Sequence, residues 1–210
     1  MLAEIAAMYA DTQRETGFAA MSPAVRAAMG RVERHRLIDP ERAEAAYWNQ
    51  ALAIGRGQTI SQPYIVALST DLLRIDSSSV VLDVGTGSGY QAAVLAEIAS
   101  KVFSIEVIPS LGDEARKRLE ELGYGNIEIR IGDGYAGWPD KAPFDGIVVA
   151  AAAPQVPETL VDQLKPGGRM AIPIGGAGDV QFLTLVVKRA DGGIDEKRVL
   201  PVRFVPLVPG

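Results

Sequence analysis

The chain has 210 residues, a formal net charge of −5, 48% apolar residues, no cysteine and one histidine, His35. That length suits one domain with a sizeable core, and that apolar content excludes general disorder. No cysteine means no disulfide, thiolate metal site or cysteine nucleophile; one histidine argues against a histidine metal cluster or a Ser–His triad, and the acidic balance leaves no footprint for non-specific nucleic-acid binding.

Residues 1–54 read as helical and alanine-rich, with Ser22-Pro23 and Asp39-Pro40 as cap-plus-first-turn signals. Arg31, Glu33, Arg34 and Arg36 read as a solvated face, and His35 among them as structural or without a role. Residues 55–78 begin with the polar loop Gly55–Tyr64 and end in a helix over 63–73 with Ile65, Leu68, Leu72 and Leu73 on its apolar side. From residue 79 strands and helices alternate: strands at 80–84, 102–105, 127–131, 144–149 and 169–174, and helices at 91–98, 111–122 and 157–164. Two further strands, 182–188 and 197–207, flank Asp191-Gly192-Gly193, which implies an antiparallel edge pair. The fold class expected is therefore α/β: a mostly parallel, Rossmann-like sheet with an antiparallel edge strand and N-terminal helices, in one domain spanning 1–210. The N-terminus lacks the basic start and apolar stretch of a signal peptide, and no apolar run is long enough to span a bilayer. The expectation is a cytoplasmic protein without a membrane, nucleic-acid or metal partner.

The run VLDVGTGSGY, residues 81–90, carries the most chemistry. A buried strand ends near Asp83, and Gly85, Gly87 and Gly89 let the backbone turn tightly and approach a ligand before a helix begins. A dinucleotide fingerprint wants glycine or alanine where Tyr90 stands, so NAD fits poorly. The Gly-x-Gly-x-Gly spacing is the one S-adenosylmethionine-dependent methyltransferases use. Glu106 closes the next strand about twenty residues on, where an acid accepts both ribose hydroxyls. Asp133, in Gly132-Asp133-Gly134, follows the third strand on the same sheet edge; it reads either as an acceptor for an adenine amine, with Gly134 leaving room for the ring, or as ordinary turn chemistry. Ser61 reads either as a helix cap or as a residue of the site.

Gln58-Thr59-Ile60-Ser61-x-Pro63, more specific than the glycine loop, resembles the protein-L-isoaspartate O-methyltransferases. The resemblance continues in order through 81–90, NIEIRIGDGYAGW (126–138), APFDGIVV (142–149), 164–175 and PVRFVPL (201–207). It implies S-adenosylmethionine as cofactor, with Thr59, Ile60, Ser61, Asp83, Gly85, Gly87, Gly89, Glu106, Asp133 and Gly134 at its pocket. Ser61 is implied as the active-site residue, and Val205, Pro206 and Leu207 as contacts of the substrate peptide. Two positions depart from the family pattern: Asn49 stands where an acid is usual, and Arg56 replaces a frequent histidine.

The implied reaction is methylation of the free α-carboxylate of isoaspartyl residues in damaged peptides and proteins, after which the ester loses methanol to a succinimide that partly reopens to aspartate. It suits this residue inventory, because a carboxylate of pKa about 4 is already ionised at neutral pH and needs no strong base. The rival readings are a methyltransferase of the same fold acting on a small molecule, and a module that binds the cofactor without chemistry.

Overall fold

The computed structural model describes residues 1–176 and 179–210. Three helices open the chain: α1 (Leu2–Asp11), α2 (Gln13–Thr16) and α3 (Pro23–Arg31). The Ser22-Pro23 signal holds, since the Ser22 side chain accepts from Val25 N at 3.2 Å and Pro23 occupies the first turn. The expectation of helix through residue 54 is corrected. Beyond Arg31 there are only 3₁₀ turns at Arg34–Leu37 and Pro40–Ala45, followed by irregular chain.

The polar loop proves to be an antiparallel hairpin, β1 (Leu52–Gly55) and β2 (Gln58–Ile60), with Arg56 and Gly57 at its tip in the left-handed region. Helix α4 (Pro63–Leu73) is buried along nearly its whole length. Its Asp71 fastens the N-terminal helices, accepting from Tyr9 Oη at 2.6 Å and from Ser22 N at 3.2 Å.

Then come β3 (Val80–Val84), α5 (Tyr90–Ala96), β4 (Lys101–Glu106), α6 (Pro109–Glu121), β5 (Ile127–Ile131), β6 (Phe144–Val149), α7 (Glu158–Asp162), β7 (Leu164–Ile174), β8 (Gln181–Lys188) and β9 (Ile194–Val202). The seven-stranded sheet runs β5-β4-β3-β6-β7-β8-β9, parallel through β7 and antiparallel at β7–β8 and β8–β9. The hairpin after β8 is thus at the expected place, but β9 ends at Val202 rather than 207, and β7 begins at Leu164 with an irregular register before Arg169.

Alternation along β3 explains the layering. Val81 joins one core with Leu68 and Leu72 of α4 and Ala92 and Val94 of α5. Leu82 and Val84 join the opposite core with Phe103, Ile147, Leu160 and Met170. Strand order reverses between β3 and β6, and the crevice outside the carboxyl ends of strands at such a point is where open α/β sheets bind ligands.

Candidate active site

At that crevice lies a cleft with about 830 Å³ of free space, including its open mouth. Its floor is the β3–α5 loop. Gly85 and Gly87 line it, and Gly87, at φ +53°, turns its N–H onto Glu106 Oε2 at 2.7 Å. Ile108 N donates to Glu106 Oε1 at 3.0 Å. A carboxylate offers about four lone-pair sites, so these two bonds fix the side chain and leave capacity for a ligand's paired hydroxyls. Glu106 itself is buried and lines the cleft.

Gly134 enters from the end of β5. A Cβ there would stand 2.7 Å from Val84 Cγ1 and 3.0 Å from Leu207 Cδ1, so only glycine lets the β5 loop close this tightly. Leu207 and its neighbours Val205, Pro206 and Val208 form the opposite wall. The chain is tied there by Ala152 N to Val205 O and Leu207 N to Ala152 O, both 2.8 Å. This explains the early end of β9: residues 205–207 leave the sheet edge and pair with the loop after β6.

Thr59, Ile60 and Ser61 complete the rim. Beside it runs an open groove bounded by Asn49, Gln50, Ala51, Gln62, Ile65 and residues 201–204, and Thr59 and Ser61 line both spaces. The two readings of Ser61 separate here. The N-cap of α4 is Gln62, no side chain caps from that position, and among the described residues Ser61 Oγ makes no hydrogen bond. Asn49 does the satisfying instead, its Oδ1 accepting from Tyr64 N at 3.0 Å while Gln62 Nε2 donates to Asn49 O at 3.0 Å.

Three candidates stand behind the lining rather than in it. Asp83 is fully buried and accepts from Ser104 Oγ at 2.7 Å; Ser104 in turn bonds Thr86 at 2.6 Å, and Asp83 Oδ1 has no partner. Burial pushes its carboxyl up to about 7, against the pull of the Ser104 bond and with the Glu106 charge adding to the rise. Gly89 is the N-cap of α5 and packs against Leu119. Asp133 is half-buried, its Oδ1 accepting from Tyr135 N at 2.8 Å in a local turn.

The solvated face expected for residues 31–36 is corrected at one position. Arg31, Glu33 and Arg36 are exposed, but Arg34 is fully buried. His35 is half-buried and meets Tyr47 Oη at 2.7 Å, while Arg56 pairs with Glu114 at 2.7 Å. Sequence reasoning also missed Ala150 and Ala151 as lining; their place at the carboxyl end of β6 was the available signal. Among the described residues, no group of three or more His, Asp or Glu is placed to hold a metal, and no helix is long and apolar enough to cross a membrane.

The residues present fit S-adenosylmethionine: a buried acid with spare acceptor capacity, two glycines at the floor, and a glycine where any side chain would intrude. A family model described as protein-L-isoaspartate(D-aspartate) O-methyltransferase matches residues 7–210. The chain is 53% identical over 207 residues to protein-L-isoaspartate O-methyltransferase 2 of Polaromonas sp. (strain JS666), covering 99% of this chain and 98% of that one. It is 51% identical over 208 residues to protein-L-isoaspartate O-methyltransferase 1 of Cupriavidus necator, covering 99% and 80%. A solved protein-L-isoaspartate O-methyltransferase superposes with a TM-score of 0.84 at 28% identity, over 98% of this chain and 65% of that chain. A Plasmodium falciparum structure described as an enzyme of the same kind, in complex with S-adenosyl-L-homocysteine, gives 0.77 at 26% identity, over 98% of both chains. The match to the family spans nearly the whole length and both halves of the cleft, and the chain belongs to the protein-L-isoaspartate (D-aspartate) O-methyltransferases, S-adenosylmethionine-dependent enzymes that methylate isoaspartyl residues in protein repair.

Proposed function

We propose that the cleft and the groove divide the two substrates, with Ser61 at the junction orienting the acceptor. The observation that carries this is that Thr59 and Ser61 line both spaces while Ser61 Oγ makes no hydrogen bond among the described residues. In this reading Glu106 accepts the ribose hydroxyls, Gly85 and Gly87 admit the amino-acid part, and Gly134 leaves room for adenine. Thr59 and Ile60 close over the cofactor. Asp83, Gly89 and Asp133 shape the pocket from behind, through Ser104, α5 and the β5 turn.

When bound, S-adenosylmethionine supplies a methyl group made electrophilic by its sulfonium. The protein's part is alignment: Ser61 donates a hydrogen bond to one carboxylate oxygen, and the rim excludes water while the other oxygen faces the methyl carbon. Ser61 forms no covalent bond. Val205, Pro206 and Leu207, which wall the cleft and continue the chain from the groove residues 201–204, hold the peptide where it reaches the cleft, no metal takes part, and the ester proceeds to the succinimide. Residues 1–54, 55–78 and 79–210 work as one domain, in the cytoplasm, on isoaspartyl peptides and proteins and without membrane or nucleic-acid partners.

In isoaspartate the free carboxylate sits on the α-carbon, whereas aspartate carries it one methylene further from the backbone. A site that grips main chain misplaces the aspartyl oxygen by roughly an ångström, enough for about a hundredfold in rate. Labelled methyl transfer to paired peptides differing only in isoAsp or Asp tests this. Transfer to the isoAsp member alone, unaffected by a chelator, is expected. Equal rates, or loss of activity with the chelator, overturn it.

A further inference from the structure

Arg34 has the surroundings of a group under strict constraint. It is fully buried, in the 3₁₀ turn that follows α3. Its Nε donates to Ala46 O at 2.7 Å and its Nη2 to Ser61 O at 2.9 Å, while the guanidinium lies over the Tyr90 ring, 4.5 Å from the centroid. Tyr90 is the first residue of α5 and lines the cleft. One planar group therefore spans the 46 turn, the Ser61 peptide unit and the glycine-loop helix.

Two facts show that scaffolding alone does not account for it. Burial lowers its pKa to about 10, so the side chain stays charged at neutral pH. Yet no Asp or Glu pairs with it among the described residues, and its Nη1 is buried without an acceptor. A buried charge without a counter-ion is costly, and a neutral donor would bond two carbonyls as well. The charge is one hydrogen bond from Ser61, through that residue's carbonyl oxygen, and Ser61 lines the junction where the proposed acceptor is anionic. A positive charge in a low-dielectric wall acts strongly on an anion brought into that junction.

We propose that Arg34 is a positioning residue for the methyl acceptor: its fork fixes the Ser61 peptide unit, and its unneutralised charge favours the acceptor carboxylate at the junction. This rests on the placement of the acceptor proposed above. The group touches neither substrate; it acts through Ser61 and through its field.

The test uses the full chain with Arg34→Met, which keeps length and removes charge and fork, and Arg34→Lys, which keeps the charge alone. Arg34→Met leaves the Ala46 and Ser61 carbonyls without this donor, so S-adenosylhomocysteine titration is used to report an intact cleft independently of activity. Expected is KM for an isoAsp peptide raised at least tenfold in Arg34→Met and about threefold in Arg34→Lys. The dissociation constant for S-adenosylhomocysteine should stay within threefold of wild type in both. Unchanged KM in Arg34→Met overturns the proposal. So does parallel loss of peptide and S-adenosylhomocysteine binding, which marks a merely architectural residue. Wild-type transfer to the peptide is measured first, so failure of the acceptor assignment registers there and failure of the Arg34 role registers only in the variants.

Discussion

The two sides of the junction are built by different means. On the cofactor side, each residue follows its own strand: Gly85 follows β3, Glu106 ends β4 and Gly134 comes just after β5, with neighbouring strands locked in continuous parallel register. On the side proposed for the acceptor the walls come from residues near 49, from 59–62 and from 201–204, which no common ladder joins. Side-chain clamps across long sequence separations hold them: Arg34 to Ser61 O, Asn49 to Tyr64 N, and Gln181, whose amide both donates to Phe204 O and accepts from Phe204 N. A cofactor site of this kind inherits its geometry from the sheet, whereas the acceptor site depends on a few part-buried polar contacts. Substitutions on the two sides should therefore fail differently.

The largest effect is expected from Asp83, within the sheet. Its carboxyl titrates at about 7 in the fold against an ordinary value of 3.8. A carboxyl raised in this way favours the folded state fully below pH 4, and loses that advantage as pH rises towards 7, because the unfolded chain then binds fewer protons. The loss is on the order of a few kcal/mol. In denaturant unfolding of the cofactor-free protein from pH 4.5 to 8, the stability of wild type relative to Asp83→Asn should fall up to pH 7 and then level. A difference flat across that range would put the Asp83 carboxyl in solvent-like surroundings and break the contrast.

Glu106→Ala comes next. It deletes the acceptor of Gly87 N and Ile108 N as well as the one proposed for the ribose hydroxyls, and charge-assisted bonds are worth about 1.5–3 kcal/mol each. Affinity for S-adenosylhomocysteine should drop at least tenfold in calorimetric titration, with some loss of Tm but a folded protein. Peptide KM at saturating cofactor should move little. Wild-type affinity would remove Glu106 from the site.

The same contrast explains what could be read from the chain. The cofactor side was legible because strand, glycines, helix and acid are local and ordered, and each element's period or turn chemistry points to the next. The place of Ser61 on the cleft rim was legible only through the resemblance, since a serine two residues before a proline reads equally as a cap. Arg34 was misread for a physical reason: in a run of charges at 31–36, one residue turns inward because its guanidinium stacks on Tyr90 and two carbonyls await its fork, partners 12 to 56 residues away. The β1–β2 hairpin escaped notice because strands of four and three residues carry almost no periodicity. Asn49 had no local signal at all, for its bond to the start of α4 exists only once the chain has folded back.

The smallest effect on the fold, and the sharpest on the comparison, belongs to Ser61→Ala. A serine acting as a helix cap is worth about 1 kcal/mol when replaced by alanine. Here the N-cap position is Gln62 and Tyr64 N is satisfied by Asn49, so the Ser61 hydroxyl carries none of that stabilisation. Thermal unfolding of the variant should match wild type within about 0.5 kcal/mol, the scatter usual for substitutions away from such contacts. Turnover on an isoAsp peptide should nevertheless fall roughly tenfold, the equivalent of one hydrogen bond to a charged group. Affinity for S-adenosylhomocysteine should hold if the hydroxyl serves the acceptor, as proposed. Melting and turnover measured on the same samples separate the roles: a lowered Tm with normal turnover per folded molecule returns Ser61 to the helix, and unchanged values for both leave the junction without its orienting group.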